Sequence, residues 1–236
     1  MVTLGSTGAR TRLGRLLRAP PFSAFPRHLL EDVADSSHDL HARRGAVLFR
    51  RGDAARSAYV VDRGAVRLST TTPDGRPIVF RLVASGEAFG FLAVLNGDAR
   101  SCDATVLTGC RLVVVPYRVL ADGVERSPPA ALALAREASR QTILLRGRLA
   151  GLAARDVPDR VAAVLVELAA SFGVRVADGV LVDVPLRHED VAGLVGVARE
   201  TVSRMLSTFA ARGFVRREGE RYVVLDPELV AAASTA

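Results

Sequence analysis

The sequence has no lysine and no tryptophan, and only 2 of its 236 residues are cysteine. Two cysteines cannot build the disulfide framework of a small secreted protein, and their spacing fits no zinc site. We therefore expect Cys102 and Cys110 to be reduced and inert, with a redox switch between them as the alternative. No apolar run reaches the roughly 18–20 residues of a membrane span. The arginine-rich N-terminus also lacks the apolar core of a signal peptide, so the default expectation is a cytoplasmic protein.

Because lysine is absent, arginine supplies all 32 Lys+Arg positions, against 25 acidic residues, and the net charge is +7. A basic surplus favours an anionic partner such as nucleic acid. A G+C-rich genome would give the same arginine-rich composition. Composition alone therefore supports a nucleic-acid partner only weakly.

Histidine is missing from the whole region between Gly45 and Val115, where short β-type segments alternate with turn signals. Their spacing of about ten residues predicts an antiparallel barrel or sandwich. A metal oxygenase built on such a barrel would need several histidines inside it. The motifs of a serine nucleophile elbow, a P-loop and a dinucleotide site are also missing. We therefore predict no enzyme and no metal, and we place His38 and His41 in a solvated loop before the first strand.

A long helix is predicted after this region, beginning at Pro128 and Pro129, residues that suit a helix start. Small and apolar residues then alternate at spacings of four and three, the pattern of a coiled-coil seam between two chains. A helix that packs on its own barrel is the alternative. The seam contains Ala131, Ala135, Ala138, Thr142, Leu145, Leu149 and Leu152.

Residues 191–214, VAGLVGVARETVSRMLSTFAARGF, predict a helix-turn-helix. Apolar residues at three- and four-residue steps give the second helix one buried stripe, made of Val202, Met205, Leu206 and Phe209. Gly196 falls between the two helices, where a tight turn is needed. Hairpins are predicted on either side of this segment, and the second carries three arginines like a wing: Arg216, Arg217 and Arg221.

The outer face of the second predicted helix has chemistry suited to base edges. Arginine can donate two hydrogen bonds to guanine, and glutamate can accept one from cytosine. The start of the first helix, at His188 and Glu189, would cross the phosphate backbone. The alternative is a solvated helical hairpin whose charges pair one turn apart, Glu200 with Arg204 among them.

The stretch PLRHEDVAGLVGVARETVSRMLSTFAARGFV resembles the winged helix-turn-helix of the Crp/Fnr family of bacterial transcription regulators, and RETVSR at 199–204 carries the resemblance most specifically. The similarity extends back through DVPDRVAAVLVELA to the central helix and the β-region. It implies an α+β fold with a cyclic-nucleotide-binding-like β-roll (22–127), a central dimerisation helix (128–155) and a DNA-binding domain (156–236). Residues 1–21 would form a disordered basic arm.

The resemblance also implies a homodimer on a pseudo-palindromic operator in double-stranded DNA, with half-sites about 34 Å apart that resemble GTGA. RNA polymerase is a candidate further partner. The implied dimer contacts are Ala138, Thr142, Leu145, Leu149 and Leu152. The implied DNA contacts are His188, Arg199, Glu200, Thr201, Ser203 and Arg204. Two departures from the family are Ala198, where a Ser or Thr cap is usual, and Arg187, where Thr is usual.

The stretch SGEAFGFLAVLNGDARSCDATV resembles the phosphate-binding cassette of the family. Phe91 stands where members that bind cyclic AMP carry Glu, and Leu145 and Arg146 stand where they carry a hydroxyl pair. The sequence therefore favours another small anionic effector over cyclic AMP. Three alternatives stay open. Arg100 caps a loop, the regulator works without an effector, or the chain is a nucleotide sensor with weak DNA binding. The oxygen-sensing branch of the family holds an iron–sulfur cluster with several cysteines, most of them near the N-terminus. Because no cysteine precedes Cys102, we do not expect that cluster here. The implied pocket consists of Gly90, Phe91, Leu92, Arg100, Ser101, Leu145 and Arg146.

Overall fold

The computed structural model describes residues 2–5 and 8–225 and has the predicted α+β fold. The chain divides into two compact units. The first comprises the described residues within 1–68 and 82–145, and the second those within 69–81 and 146–236. Within the described ranges, no helix is long and apolar enough to cross a membrane.

Antiparallel strands make up most of the N-terminal half, in two sheets. One sheet has the strand order β1-β2-β9-β4-β7 and the other β3-β8-β5-β6. The strands are β1 (Val2–Gly5), β2 (His38–Ala42), β3 (Val47–Phe49), β4 (Ser57–Arg63), β5 (Val66–Thr71), β6 (Pro77–Val83), β7 (Ala88–Phe89), β8 (Asp103–Val106) and β9 (Cys110–Pro116).

Strand β9 is buried on both faces because its side chains alternate between two apolar clusters. Cys110 and Leu112 lie in the cluster that contains Phe49, Phe89 and the other inward-facing residues of the strands. Val113 and Val115 lie in a second cluster, formed with the helices. These helices are α1 (Ala9–Leu16), α2 (Arg27–Ser36), α3 (Phe91–Asn96), α4 (Tyr117–Arg126) and the first turns of α5 (Pro128–Ala154).

The expectation of a disordered arm at residues 1–21 is wrong for most of its described residues. Residues 9–16 form helix α1, and Leu16 is fully buried. Arg15 of this helix pairs with Asp39, whose carboxylate is completely buried, and its Nε lies 3.1 Å from the carboxylate of Asp62. A buried carboxylate needs a cationic partner. Arg15 therefore stabilises the first unit and is not part of a free basic arm.

The expectation of a solvated loop at His38 and His41 is also wrong, because both residues lie in strand β2. Their side chains are exposed, and Asp39 and Ala42 occupy the buried positions of the strand. Among the residues that the structure describes, no group of three or more His, Cys, Asp or Glu side chains could hold a metal ion.

The helix-turn-helix lies in the second unit, between two hairpins that form one four-stranded sheet of order β10-β11-β13-β12. Buried apolar residues of all three helices form its core, including Leu165, Val191, Val195, Val202 and Phe209. The elements are α6 (Val157–Phe172), β10 (Gly173–Val176), β11 (Gly179–Val182), α7 (His188–Val195), α8 (Arg199–Ala211), β12 (Val215–Glu218) and β13 (Arg221–Val224).

Gly196 ends α7 and begins the turn into α8. Its φ of 75° is left-handed, a conformation that glycine adopts without the steric cost of a Cβ. Its N–H donates to the carbonyl of Ala192 at 2.8 Å, which closes the last turn of α7. The predicted turn between the two helices is confirmed.

Helix α8 begins at Ala198 without a side-chain cap. The backbone carbonyl of Ala198 accepts from the N–H groups of Thr201 and Val202 at 3.1 and 3.2 Å. Its φ of −68° and ψ of 148° are those of an ordinary N-cap residue, but a methyl group offers no acceptor to the first turn.

We predict that Ala198→Ser raises the free energy of unfolding by about 0.5–2 kcal/mol, because a serine oxygen can accept from the first turn of α8. Urea unfolding followed by circular dichroism measures the change. Ala210→Ser, at an exposed position inside the same helix, is the matched control and should lower stability slightly. Equal shifts in the two variants would contradict the missing-cap interpretation.

Candidate nucleic-acid interface

Helix α8 separates an apolar face from a charged one. Val202, Leu206 and Phe209 are buried, which confirms the predicted stripe, while Met205 is half-buried. Arg199, Glu200 and Arg204 are exposed, and Thr201 and Ser203 are half-buried. Because successive residues of a helix are about 100° apart, burial of the stripe leaves the charged residues facing outward.

The charged side chains of α8 are not paired with one another. Glu200 and Arg204 are one turn apart, yet within residues 2–5 and 8–225 neither side chain has a hydrogen bond or an ion pair. Two hydroxyl groups of α8 donate to backbone carbonyls of the same helix. Ser207 donates to the carbonyl of Ser203, and Thr208 donates to that of Arg204, each at 3.0 Å. The predicted alternative of an internally paired, solvated face is therefore not what the structure contains.

Helix α7 presents His188 at its first position. The backbone N–H of Arg187 donates to the buried carboxylate of Asp190 at 2.9 Å, which fixes the start of the helix. Nε2 of His188 lies 3.1 Å from NH1 of Arg217 on β12. Burial lowers the pKa of His188, and the positive charges of Arg217 and Arg199 lower it further.

The wing, which is the β12–β13 hairpin, carries three arginines in different electrostatic settings. Arg216 pairs with Asp178 and, at 2.9 Å, with Glu218, and its pKa is raised chiefly by the hydrogen bond to Asp178. Arg221 lies 3.0 Å from the carboxylate of Asp183. Arg217 instead donates from Nε to the carbonyl of Gly219 at 2.8 Å and contacts His188. The sequence predicts that these three arginines lie on the wing, but it does not predict which of them has a carboxylate partner.

In the first unit, the structure brings Arg100 and Gly90 together. The Arg100 side chain is buried, and its NH1 donates to the Gly90 carbonyl at 2.7 Å. NH2 donates to the carbonyl of Ser57, and the guanidinium lies 4.1 Å from the centroid of the Phe49 ring. Nε is buried without a hydrogen-bond partner in the described structure. Burial lowers the pKa of Arg100. Sequence reasoning missed Ser57 and Phe49, which lie in ordinary strand-like segments.

The other residues of the predicted pocket do not join this pair. Phe91 is buried in the cluster formed with the helices, whereas Phe49 belongs to the cluster of the strands. The apolar ring of Phe91 packs among the other apolar side chains of the cluster formed with the helices. Its place in the pocket stays a prediction. Leu92 and Ser101 are exposed. A side chain on Gly90, whose φ is 76°, would place its Cβ 2.8 Å from NH1 of Arg100.

The two cysteines are free, and burial raises the pKa of both thiols. Cys102 is half-buried and Cys110 is buried. A thiol with a raised pKa is mostly protonated near neutral pH and is a poor nucleophile.

The predicted seam residues on α5 are mostly exposed in the single chain. The exposed fractions of Leu145, Leu149 and Leu152 are 50%, 57% and 45%, Thr142 is exposed, and Ala138 is half-buried. Arg146, the second implied pocket residue on this helix beside Leu145, is also exposed. The buried side of the helix carries Ala130, Ala133, Leu134 and Glu137.

Comparisons with known proteins agree with this architecture. Residues 39–127 match the cyclic nucleotide-binding domain, and residues 159–233 match the Crp-like helix-turn-helix domain. A protein of Mycobacterium tuberculosis named CRP-like cAMP-activated global transcriptional regulator is 32% identical over 216 residues, which cover 92% of this chain and 96% of that protein. The global nitrogen regulator of Synechococcus elongatus is 28% identical over 186 residues, covering 78% of this chain and 84% of that protein.

A solved structure shows the same likeness. The crystal structure of a CRP-family transcriptional regulator from Thermus thermophilus superposes with a TM-score of 0.71 at 26% identity, covering 83% of this chain and 96% of that one. These relatives are transcription regulators and not enzymes. Sequence, fold and helix-turn-helix geometry therefore agree that the chain belongs to the Crp/Fnr family of bacterial transcription regulators.

Proposed function

We propose that the chain is a homodimeric, sequence-specific DNA-binding regulator that reads base edges with α8. The observation that carries this proposal is the exposed, unpaired charge on that helix. Arg204 and Glu200 have no partner among the described residues, although a one-turn ion pair was within their reach. Charged groups left in this way keep their hydrogen-bonding capacity for a ligand.

The dimensions of α8 suit a major groove. With 13 residues it is about 20 Å long, and its diameter of roughly 10–12 Å matches a groove about 12 Å wide. Arg199 and Arg204 are five positions apart, or about 7.5 Å along the axis, which is close to two base-pair steps. Half-exposed Thr201 and Ser203 lie between them and would contact phosphate or base edges.

We predict that Arg204→Ala lowers the affinity for the operator by about 1–3 kcal/mol and relaxes sequence preference at one base pair. Operator fragments can be selected with the wild-type protein, and fluorescence anisotropy then gives affinities for the operator and for single-base variants. Arg118→Ala, which removes an equal and exposed charge from α4, is the control and should keep the preference. An equal loss on operator and on scrambled DNA would contradict base reading by Arg204.

The two faces of α5 support the homodimer. The face with Ala133 and Leu134 already packs on the first unit, so the leucines at 145, 149 and 152 are left as an apolar stripe. Their spacing of four and three is that of a coiled-coil seam. Exposed apolar patches of this kind mark interaction sites. A second copy of the helix would cover the stripe with its own.

We predict that Leu149→Glu weakens dimerisation at least tenfold, because two carboxylates would face each other in the seam. Sedimentation equilibrium measures the dimer dissociation constant. Ala150→Glu adds the same charge at the next, exposed position and should leave the constant within about threefold of wild type, which is less than 1 kcal/mol. Equal weakening by both variants would place the dimer contact elsewhere.

We infer that a small anion acts as effector at Arg100. The buried Nε–H of this residue lacks an acceptor, and leaving such a donor unsatisfied costs about 1–3 kcal/mol. An anionic oxygen would satisfy it. Cyclic AMP is disfavoured, because Phe91 is directed into the core and Leu145 and Arg146 offer no hydroxyl. One relative carries cAMP activation in its name, so this chain would differ from it in effector.

We predict that inorganic phosphate raises the melting temperature of the wild-type protein more than that of Arg100→Met, whereas cyclic AMP leaves the DNA affinity within twofold. Thermal scans and anisotropy titrations measure the two quantities. If cyclic AMP saturates the protein at micromolar concentration and tightens DNA binding, this choice of effector is overturned. Equal phosphate effects on both proteins would favour the effector-independent regulator, which the carbonyl partners of Arg100 also support.

The proposed partner and location follow from DNA binding. A bacterial operator lies in the cytoplasm together with RNA polymerase. We therefore propose the cytoplasm as the location and RNA polymerase as a further partner.

A further inference from the structure

Two elements of the second unit, α7 and β12, bring basic side chains together near the start of α8. His188 begins α7, Arg199 begins α8 and Arg217 lies on β12. The imidazole Nε2 and the NH1 of Arg217 are 3.1 Å apart. The positive charge of Arg199 lowers the pKa of His188, after burial and the charge of Arg217. We call His188 and Arg217 the wing cluster.

Arg217 differs from the arginines around it because no carboxylate neutralises its charge in the described structure. Arg216 has Asp178 and Glu218, and Arg221 has Asp183. Arg187, just before α7, has Glu220 at 3.7 Å. Among the described residues, the hydrogen-bond partners of the Arg217 side chain are a carbonyl and the imidazole. Of the three wing arginines, Arg217 therefore keeps a charge that no carboxylate in the described structure neutralises.

The contact between Arg217 and His188 requires a neutral imidazole. A guanidinium can only donate, so Nε2 must offer its lone pair as the acceptor. A protonated imidazole has donors on both nitrogens and would face the guanidinium donor to donor. An oxygen with several lone pairs, placed between them, would accept from both groups. A phosphodiester oxygen of DNA has this chemistry, and charge-assisted hydrogen bonds to it are strong.

We propose that the wing cluster binds one DNA phosphate and takes up a proton at His188 when it does so. The inference rests on the proposed DNA binding by α8 and adds to it a specific phosphate site and a linked proton. Arg217 supplies fixed charge, and His188 changes from acceptor to donor. Arg216 and Arg221 hold the wing in place and do not bind the phosphate.

The charges around His188 set the direction of the effect. Arg217 faces it from β12 and Arg199 from α8, and both lower its pKa in the free protein, as burial does. On the helix of His188, Glu189 is exposed. Asp190 is buried, and its carboxylate accepts from the backbone N–H of residue 187. A phosphate adds negative charge next to the imidazole and raises its pKa. Binding therefore becomes tighter as pH falls through the interval between the two values.

We predict that the dissociation constant for the operator falls three- to tenfold between pH 8 and pH 6 at constant ionic strength. His188→Gln should abolish this dependence, because glutamine offers the same kind of hydrogen bonds without titrating. Anisotropy measures the constants. An NMR titration of the His188 imidazole, with and without operator DNA, should show a pKa that is higher in the complex.

Salt dependence separates the wing arginines. Arg217→Gln should reduce the slope of log K against log salt by about 0.9, the value for one phosphate contact. Arg118→Gln, which removes an exposed arginine from α4, is the matched control and should keep the wild-type slope and pH dependence. A His188→Gln protein with the wild-type pH dependence, or equal slopes for Arg217→Gln and wild type, would overturn the wing cluster. If the wild type selects no DNA sequence at any pH, the proposed function itself fails.

Discussion

Burial of the apolar stripe of α8 against α6 and α7 is the constraint on which the DNA-binding face depends. Val202, Leu206 and Phe209 are almost completely removed from water. Each buried side chain of this size contributes about 1.5–3 kcal/mol. This burial fixes the rotation of the helix about its own axis, and the charged residues at 199, 200 and 204 consequently point outward. Because the left-handed Gly196 sets the turn before α8, the orientation is determined locally.

Electrostatics then divides the arginines of the chain into structural and available ones. Arg15 neutralises a buried aspartate in the first unit, and Arg216 holds the wing through Asp178 and Glu218. Arg204 and Arg217 have no carboxylate partner in the described residues. The net charge of +7 is therefore a poor guide by itself. What matters for an anionic partner is which guanidinium groups remain unneutralised and where they lie.

Much of this architecture could be predicted from local patterns. The stripe of α8 and the glycine of the turn are encoded within 20 residues, and the main strands of the N-terminal half appear as short β-type runs. The errors arose where distant residues meet. Helix α1 is held by Asp39, 24 positions from Arg15, and the guanidinium of Arg100 reaches a backbone carbonyl 43 positions away at Ser57. A carbonyl acceptor has no side-chain signature. Sequence position also does not tell which of the two apolar clusters receives the ring of Phe91.

The central claim is that two copies of α8 read base edges in successive major grooves. Selection of bound fragments from random double-stranded DNA by the purified protein tests it most directly. The account predicts an enriched, two-fold symmetric motif whose half-site centres are about 10–10.5 base pairs apart. Enrichment without symmetry, or retention that depends on salt but not on sequence, would contradict it.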